Sequence, residues 1–125
     1  MRFNGICIAT ENVPRLCAFY REILKLESEE ANIFEIIPTE GAVLSIYSAE
    51  RTEIAAPGCL EGSGNGRYTI EFEVEDVDLE FERLAAMNVE IVKPPTTQPW
   101  GRRSVWFRRP RLFRDRARPD LVEAF

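Results

Sequence analysis

The sequence contains no histidine. This absence removes the commonest transition-metal ligand and the commonest general base of proteins. Cysteine is scarce as well, because Cys7, Cys17 and Cys59 are an odd number without the paired spacing of a zinc knuckle. The sequence therefore predicts neither a disulfide framework nor a zinc site, and we interpret the cysteines as reduced thiols, two of them in the core.

Long hydrophobic segments are also missing. No apolar run approaches the roughly 18 residues of a membrane-spanning helix. The first residues lack the apolar segment and small-residue cleavage site of a secretion signal. With 125 residues, of which 45% are hydrophobic, the chain has the size and apolar content of one domain with one core. We expect a cytoplasmic protein without a membrane partner.

Positive charge is scarce over most of the chain and concentrated near its end. Residues 1–100 hold 8 Lys and Arg against 18 Asp and Glu, whereas residues 101–118 hold eight arginines and one aspartate. Taken by itself, such an arginine run is typical of a polyanion-binding arm. No interleaved aromatic platform or nucleic-acid motif accompanies it, so we predict no nucleic-acid partner.

A strand, a helix and two further strands are predicted twice along the chain. In the first copy, residues 4–10 are short and β-branched, as in a strand, and Asn12 can cap the helix that follows. This helix has a core-facing apolar stripe at Leu16, Phe19, Tyr20, Ile23 and Leu24. Two apolar segments, 32–38 and 42–48, then predict a hairpin.

The second copy begins after residues 57–66, a glycine-rich segment that is typical of a linker. Residues 67–75 alternate as a strand, Asp76 can cap a helix, and residues 89–93 and 103–107 predict two more strands. The two copies align around their strand-to-helix junctions. This internal repeat predicts two pseudo-symmetric βαβββ halves.

Four short segments match a known family in their order and spacing. They are Phe-Tyr-Arg-Glu-Ile-Leu at 19–24, Val-Glu-Asp-Val-Asp at 74–78, Trp-Gly-Arg-Arg at 100–103 and Trp-Phe-Arg at 106–108. Together they resemble the vicinal oxygen chelate superfamily, which includes glyoxalase I, extradiol dioxygenases, fosfomycin-resistance enzymes and bleomycin-binding proteins. The resemblance implies an α+β fold of two tandem βαβββ modules that form a curved mixed sheet around a cavity, and a homodimer.

Metal-dependent members of this family hold their ion with four side chains, usually His and Glu. The corresponding positions in this sequence are Gly5, Ser45, Thr69 and Glu123. One carboxylate among four positions cannot hold a divalent ion. The resemblance therefore implies a member without metal or other cofactor.

The chain departs from the family after residue 108. Residues 1–56 fit the first module, 57–66 the linker and 67–108 the second module, but 109–125 form an atypical arginine-rich tail. The family has Asp-Pro-Asp-Gly-Asn and a final strand at this point. One extra base within codons for Arg-Asp-Pro-Asp spells Arg-Arg-Pro-Arg, so we hypothesise that the tail is a frameshifted reading.

Two functions are compatible with these features. The first is a metal-independent protein that binds a small molecule, as in ligand sequestration or resistance. The alternative is a glyoxalase-like lyase or isomerase, or a dioxygenase-related enzyme, acting on a small metabolite with Glu71 or Tyr47 as the acid–base group. The missing histidine favours binding, and we assign no catalytic residue.

Eight residues are candidates for contact with the ligand, because they occupy cavity-facing or aromatic positions: Phe34, Ser45, Tyr47, Thr69, Glu71, Trp100, Arg103 and Trp106. Alternation places Thr69, Glu71 and Glu73 opposite the apolar face of their strand. If that polar face is concave, the cavity is acidic and aromatic and suits a cationic, partly planar ligand. The alternatives are solvation for the polar residues and core packing for the aromatic ones.

Overall fold

The computed structural model describes residues 4–58, 60–62, 69–109 and 121–125, with the backbone alone at Thr69 and Leu121. Over these residues the chain is a mixed α+β protein with three helices and two mixed sheets. It divides into two compact units, the first within residues 4–62 and the second within 69–109 and 121–125. None of the helices in these ranges is long and apolar enough to cross a membrane.

The first unit contains three strands and two helices. In chain order these are β1 (Gly5–Thr10), α1 (Val13–Ile23), β2 (Phe34–Ile37), β3 (Val43–Ser48) and α2 (Ala49–Ala55). The sheet order is β1-β3-β2, with β1 parallel and β2 antiparallel to the central strand. The predicted order of strand, helix, strand and strand is confirmed.

Helix α1 begins where the sequence predicts, because Asn12 accepts a hydrogen bond from the backbone N–H of Arg15 at 3.1 Å. Pro14 lies in the first turn, where a missing N–H costs nothing. Four of the five residues of the predicted apolar stripe are buried, with Leu16 and Tyr20 fully inaccessible, and Leu24 is half-buried just after the helix. The helix ends before Lys25, whose φ of 57° lies in the left-handed region.

The second unit has a complete βαβββ topology. Its elements are β4 (Thr69–Phe72), α3 (Val77–Ala86), β5 (Glu90–Thr97), β6 (Arg103–Arg108) and β7 (Leu121–Ala124). The sheet order is β4-β7-β6-β5, and β7 pairs parallel to β4 and antiparallel to β6. Asp76 caps α3 through the N–H of Leu79 at 3.0 Å, as predicted.

One face of the second sheet forms the core of its unit. Ile70, Val105, Phe107 and Val122 are at most 7% exposed and lie on this face. Helix α3 covers it with Leu84, which is fully buried. The opposite face of this sheet carries the polar residues described below.

Three features of the structure were not predicted. Ser48 caps the additional helix α2, accepting from the N–H of Arg51 at 3.3 Å. Strand β5 continues to Thr97 through Pro94 and Pro95, which lie where a register shift between Lys93 and Thr96 interrupts the pairing with β6. Strand β7 lies within the segment interpreted as an atypical tail, and residues 110–120 of that segment lie outside the described part of the chain.

The structure places two of the three cysteines. Cys17 is fully buried, but Cys7 is exposed on β1. Cys59 lies outside the described residues. Of the two cysteines that the structure describes, Cys17 alone is in the core.

Candidate functional site

Four side chains form a row across the second sheet, on the face opposite α3. Strand pairing places Glu71 of β4 beside Glu123 of β7, Glu123 beside Trp106 of β6, and Trp106 beside Lys93 of β5. Phe125 follows Glu123 at the next position on the same side of its strand. We call the surface formed by Glu71, Glu123, Trp106 and Phe125 the acidic face.

Glu123 is the most unusual residue of the acidic face. It is 4% exposed, and within the described part of the chain its carboxylate has no hydrogen bond or ion pair. Its oxygens are not among the fully buried atoms that lack a partner, so the largely buried carboxylate keeps a narrow contact with solvent through which a ligand can reach it. Such a group is one that a complementary ligand stabilises when it binds.

Glu71 is in a different situation from Glu123. Its carboxylate accepts a hydrogen bond from Nη2 of Arg102 at 3.0 Å, and the two side chains are 48% and 33% exposed. The guanidinium carbon of Arg102 also lies 3.2 Å from the centroid of the Phe125 ring, in a cation–π contact. Arg102 thus links Glu71 to Phe125, and its Nε is buried with no partner in the described structure.

Trp106 is oriented by its own strand. Its Nε1 donates to the hydroxyl of Ser104 at 3.1 Å, and Ser104 is fully buried. Ser104 lies two residues before Trp106 and therefore on the same face of the sheet. The ring is half-buried beside Glu123, so an aromatic surface adjoins the unpaired carboxylate.

Two predicted site residues lie away from the acidic face. Arg103 is on the α3 side of the sheet, where its Nε and Nη2 donate to Asp78 at 2.8 and 2.6 Å. This contact lowers the pKa of Asp78, chiefly through the hydrogen bond. The structure therefore does not bring Arg103 together with Glu71 and Trp106; the neighbouring arginine, Arg102, takes that place.

Trp100 lies in the turn between β5 and β6. The turn is closed by the N–H of Gly101, which donates to the carbonyl of Gln98 at 2.8 Å, and Gly101 has a φ of 91° that suits glycine. The indole is 72% exposed. The alternative of core packing is thus wrong for Trp100.

The first unit places its three predicted site residues on one face. Phe34 pairs with Tyr47 across β2 and β3, and their rings meet edge to face with centroids 5.6 Å apart. Two residues away along β3, Ser45 pairs with Ile36 of β2 on one side and with the exposed Cys7 of β1 on the other. We call these five residues the neutral face, because none of them is an acidic or basic residue of the Asp, Glu, Lys or Arg type.

The four positions that correspond to metal ligands differ in what they offer. A Cβ built at Gly5 overlaps the carbonyl oxygen of Val43, so a side chain does not fit there. Ser45 donates its hydroxyl to the carbonyl of Ile6 at 3.5 Å, and the side chain of Thr69 lies outside the described atoms. Among the described residues, no three His, Cys, Asp or Glu side chains form a metal-binding group.

Comparison with known proteins establishes the family. The profile of the Glyoxalase/Bleomycin resistance protein/Dioxygenase superfamily matches residues 2–117, so the chain belongs to this superfamily and the resemblance found in the sequence is confirmed. A search of curated proteins gave no match.

Several solved structures share the fold. One is a glyoxalase/bleomycin resistance protein/dioxygenase family enzyme from Burkholderia phytofirmans PsJN, with 15% identity, a TM-score of 0.79, and coverage of 99% of this chain and 97% of that one. Lactoylglutathione lyase from Agrobacterium tumefaciens has 18% identity, a TM-score of 0.71 and coverage of 98% and 91%. TioX from Micromonospora sp. ML1 has 20% identity, a TM-score of 0.71 and coverage of 99% and 97%. At these identities the likeness establishes the fold of two βαβββ modules.

Sequence reasoning missed Phe125, chose Arg103 in place of Arg102, and left Glu123 outside the predicted ligand contacts. Glu123 was matched to a family position, and its alternation with Val122 and Ala124 was a usable signal of a polar residue on an otherwise apolar strand. The contact of Arg102 with Phe125 has no local signal, because it depends on pairing between distant strands.

Proposed function

We propose that this protein binds a small organic cation with a flat aromatic part at the acidic face, without a metal ion. The observation that supports this most directly is Glu123, a buried carboxylate without a counter-charge in the described structure. A ligand cation supplies the missing charge. The half-buried ring of Trp106 beside it supplies a surface for the aromatic part of the ligand.

The strength of this recognition follows from the burial of the carboxylate. A desolvated carboxylate opposite a ligand cation contributes about 1.5–3 kcal/mol, through charge attraction with or without a donated hydrogen bond, which corresponds to about tenfold to a hundredfold in affinity. An exposed and already paired carboxylate such as Glu71 contributes much less. We therefore assign the main charge contact to Glu123, in place of the Glu71 that the sequence suggested.

Binding without turnover is the function that these residues support best. A binding protein of this kind sequesters its ligand and lowers the free concentration of a toxic cation, which is one route to resistance. In the second unit the enzymatic alternative depends on Glu123 as the proton acceptor, because Arg102 holds Glu71; Tyr47 of the first unit is the other candidate. Mass spectrometry of recovered ligand distinguishes the two, since a binding protein returns it unchanged.

A ligand screen followed by a matched pair of variants tests the proposal. Thermal shift over flat cations, neutral aromatics and aromatic carboxylates should raise the melting temperature most with the cations. Calorimetry on the best cation should then show at least about tenfold weaker binding in Glu123→Gln. Glu82→Gln on the exposed side of α3 removes the same charge and should bind like the unmodified protein.

Two results would contradict the proposal. One is a best ligand that is anionic. The other is a cation whose dissociation constant is the same in Glu123→Gln and in the unmodified protein, because the buried carboxylate would then have no part in recognition.

We also propose a homodimer, in line with the expectation from the sequence. In the described structure each sheet ends in edge strands, β1 and β2 in the first unit and β4 and β5 in the second. Such edges have backbone groups available for pairing. Light scattering checks this, and a mass near the 14.4 kDa of one chain at micromolar concentration would contradict it.

A further inference from the structure

We propose that Arg102 makes the acidic face selective for ligands with a single positive charge. This inference rests on the proposed function and deepens it. The face carries two carboxylates in adjacent positions, Glu71 and Glu123, and two carboxylates would by themselves suit a dication. Arg102 neutralises one of them and leaves the other for the ligand.

The charges on this face of the sheet support the assignment. Two ion pairs form on this face, Arg102–Glu71 at 3.0 Å and Arg108–Glu90 at 3.3 Å. Lys93, on the far side of Trp106, donates to the side-chain oxygen of Gln98 at 3.3 Å and is exposed. Among these groups, Glu123 is the one buried charge without a partner.

Arg102 is held in place by more than its ion pair. Its guanidinium lies 3.2 Å from the centroid of the Phe125 ring, and its Nε is buried. A second ligand charge near Glu71 must therefore approach a fixed positive group. That charge loses its hydration without gaining a free carboxylate, so it lowers affinity.

Two probes of nearly the same shape measure this selectivity. N-methyl-phenylpyridinium is a two-ring monocation, and methyl viologen is the corresponding two-ring dication. Calorimetry at low salt should show that the unmodified protein binds the monocation at least about tenfold more tightly. Neutral phenylpyridine at about pH 8 controls for stacking alone.

The variant that tests the role of Arg102 is Arg102→Gln. It removes the positive charge and frees Glu71, so it should improve binding of methyl viologen about tenfold and that of the monocation less than about threefold. Arg103→Gln is the matched control. The adjacent arginine has the same charge and also pairs with a carboxylate, but it lies on the α3 side of the sheet, and its removal should leave the ratio unchanged.

Two further variants keep the test decisive if Arg102→Gln folds poorly. Arg102→Lys keeps the charge and should keep the preference for the monocation. Glu71→Gln leaves Arg102 without its counter-ion, so it should weaken the binding of methyl viologen more than that of the monocation. This change in the affinity ratio is opposite to the one expected for Arg102→Gln.

The outcomes separate this inference from the proposed function. If both cations bind and depend on Glu123, but their ratio stays within about twofold in Arg102→Gln, the inference is wrong and the proposed function stands. An equal change in Arg103→Gln would also overturn it, because the effect would then be one of overall charge. If neither cation binds the unmodified protein, the proposed function fails together with the inference.

Discussion

The neutral face of the first unit and the acidic face of the second come from the same repeated arrangement of strands, yet they differ in chemistry. The neutral face pairs Phe34 with Tyr47 and Ile36 with Ser45. The acidic face pairs Glu71 with Glu123 and Glu123 with Trp106. The repeat thus preserves the strand pairing, whereas the described side chains on these two faces differ in charge.

Two Arg–Glu pairs show what solvent does to the same interaction. In the first unit, Arg21 lies 2.9 Å from Glu35, and the side chains are 7% and 22% exposed. In the second unit, Arg102 lies 3.0 Å from Glu71, and the side chains are 33% and 48% exposed. The distances are alike, but Arg21 is more buried and also contacts Glu29 and the carbonyl of Glu27, so we expect the first pair to matter more for stability.

The largest effect is expected at Arg21. Replacing it with Met leaves Glu35 without its counter-ion beneath α1, which should lower the free energy of unfolding by about 3–5 kcal/mol. Arg102→Gln breaks an exposed pair and the contact with the Phe125 ring, and should cost about 1–2 kcal/mol. Urea unfolding of the two variants measures the difference.

A double replacement provides the control for this comparison. Arg21→Met with Glu35→Leu removes both buried charges and should recover much of the lost stability. Equal losses from Arg21→Met and Arg102→Gln would show that the two pairs do not differ in the way their burial implies.

The next effect concerns Cys17, a titratable group of the first unit that lies in the core. Burial, with Glu35 nearby, raises the pKa of its thiol from 9.0 to about 11. A raised pKa in the folded state contributes stability that is complete below about pH 9 and is lost as the pH rises towards about 11. The loss amounts to about 2–3 kcal/mol at most.

Cys17→Ala isolates this contribution from the other groups that titrate in the same range. Its unfolding free energy should fall less steeply between about pH 9 and pH 11 than that of the unmodified protein. Parallel pH profiles for the two proteins would mean that the thiol keeps an ordinary pKa in the folded state.

A smaller effect is expected at Gly5, the first of the positions that correspond to metal ligands. Gly5→Ala places a Cβ against the backbone oxygen of Val43 and should destabilise the protein by about 1–3 kcal/mol. Val43→Ala should not rescue the variant, since the crowding atom belongs to the backbone. Full stability in Gly5→Ala would show that this position of the first unit has room for a side chain.

The internal repeat was enough to predict the fold. Asn12 and Asp76 have local signatures as helix caps, and the apolar stripe of α1 has a period that only a helix satisfies, so these elements could be placed from the sequence. Helix α2 could not, because its seven residues follow β3 directly and contribute no buried side chain.

The acidic face was predicted only in part, because its geometry depends on strand register. Glu71 and Glu123 become neighbours through parallel pairing of strands far apart in sequence. Arg102 and Arg103 point to opposite sides of the sheet, and a shift of one residue in phase would exchange their roles. Phase at the beginning of a strand is set by tertiary pairing, so the sequence could not choose between the two arginines.

The smallest effect is expected at Tyr47 and tests the division between the two faces directly. Tyr47→Phe keeps the ring that meets Phe34 edge to face and removes one neutral hydroxyl. Because the neutral face carries no charge, this change should alter the affinities for N-methyl-phenylpyridinium and neutral phenylpyridine by the same factor, leaving their ratio within about twofold of its original value. Calorimetry with both probes measures that ratio. A loss of preference for the cation in Tyr47→Phe, comparable to that in Glu123→Gln, would show that charge recognition is shared by both units.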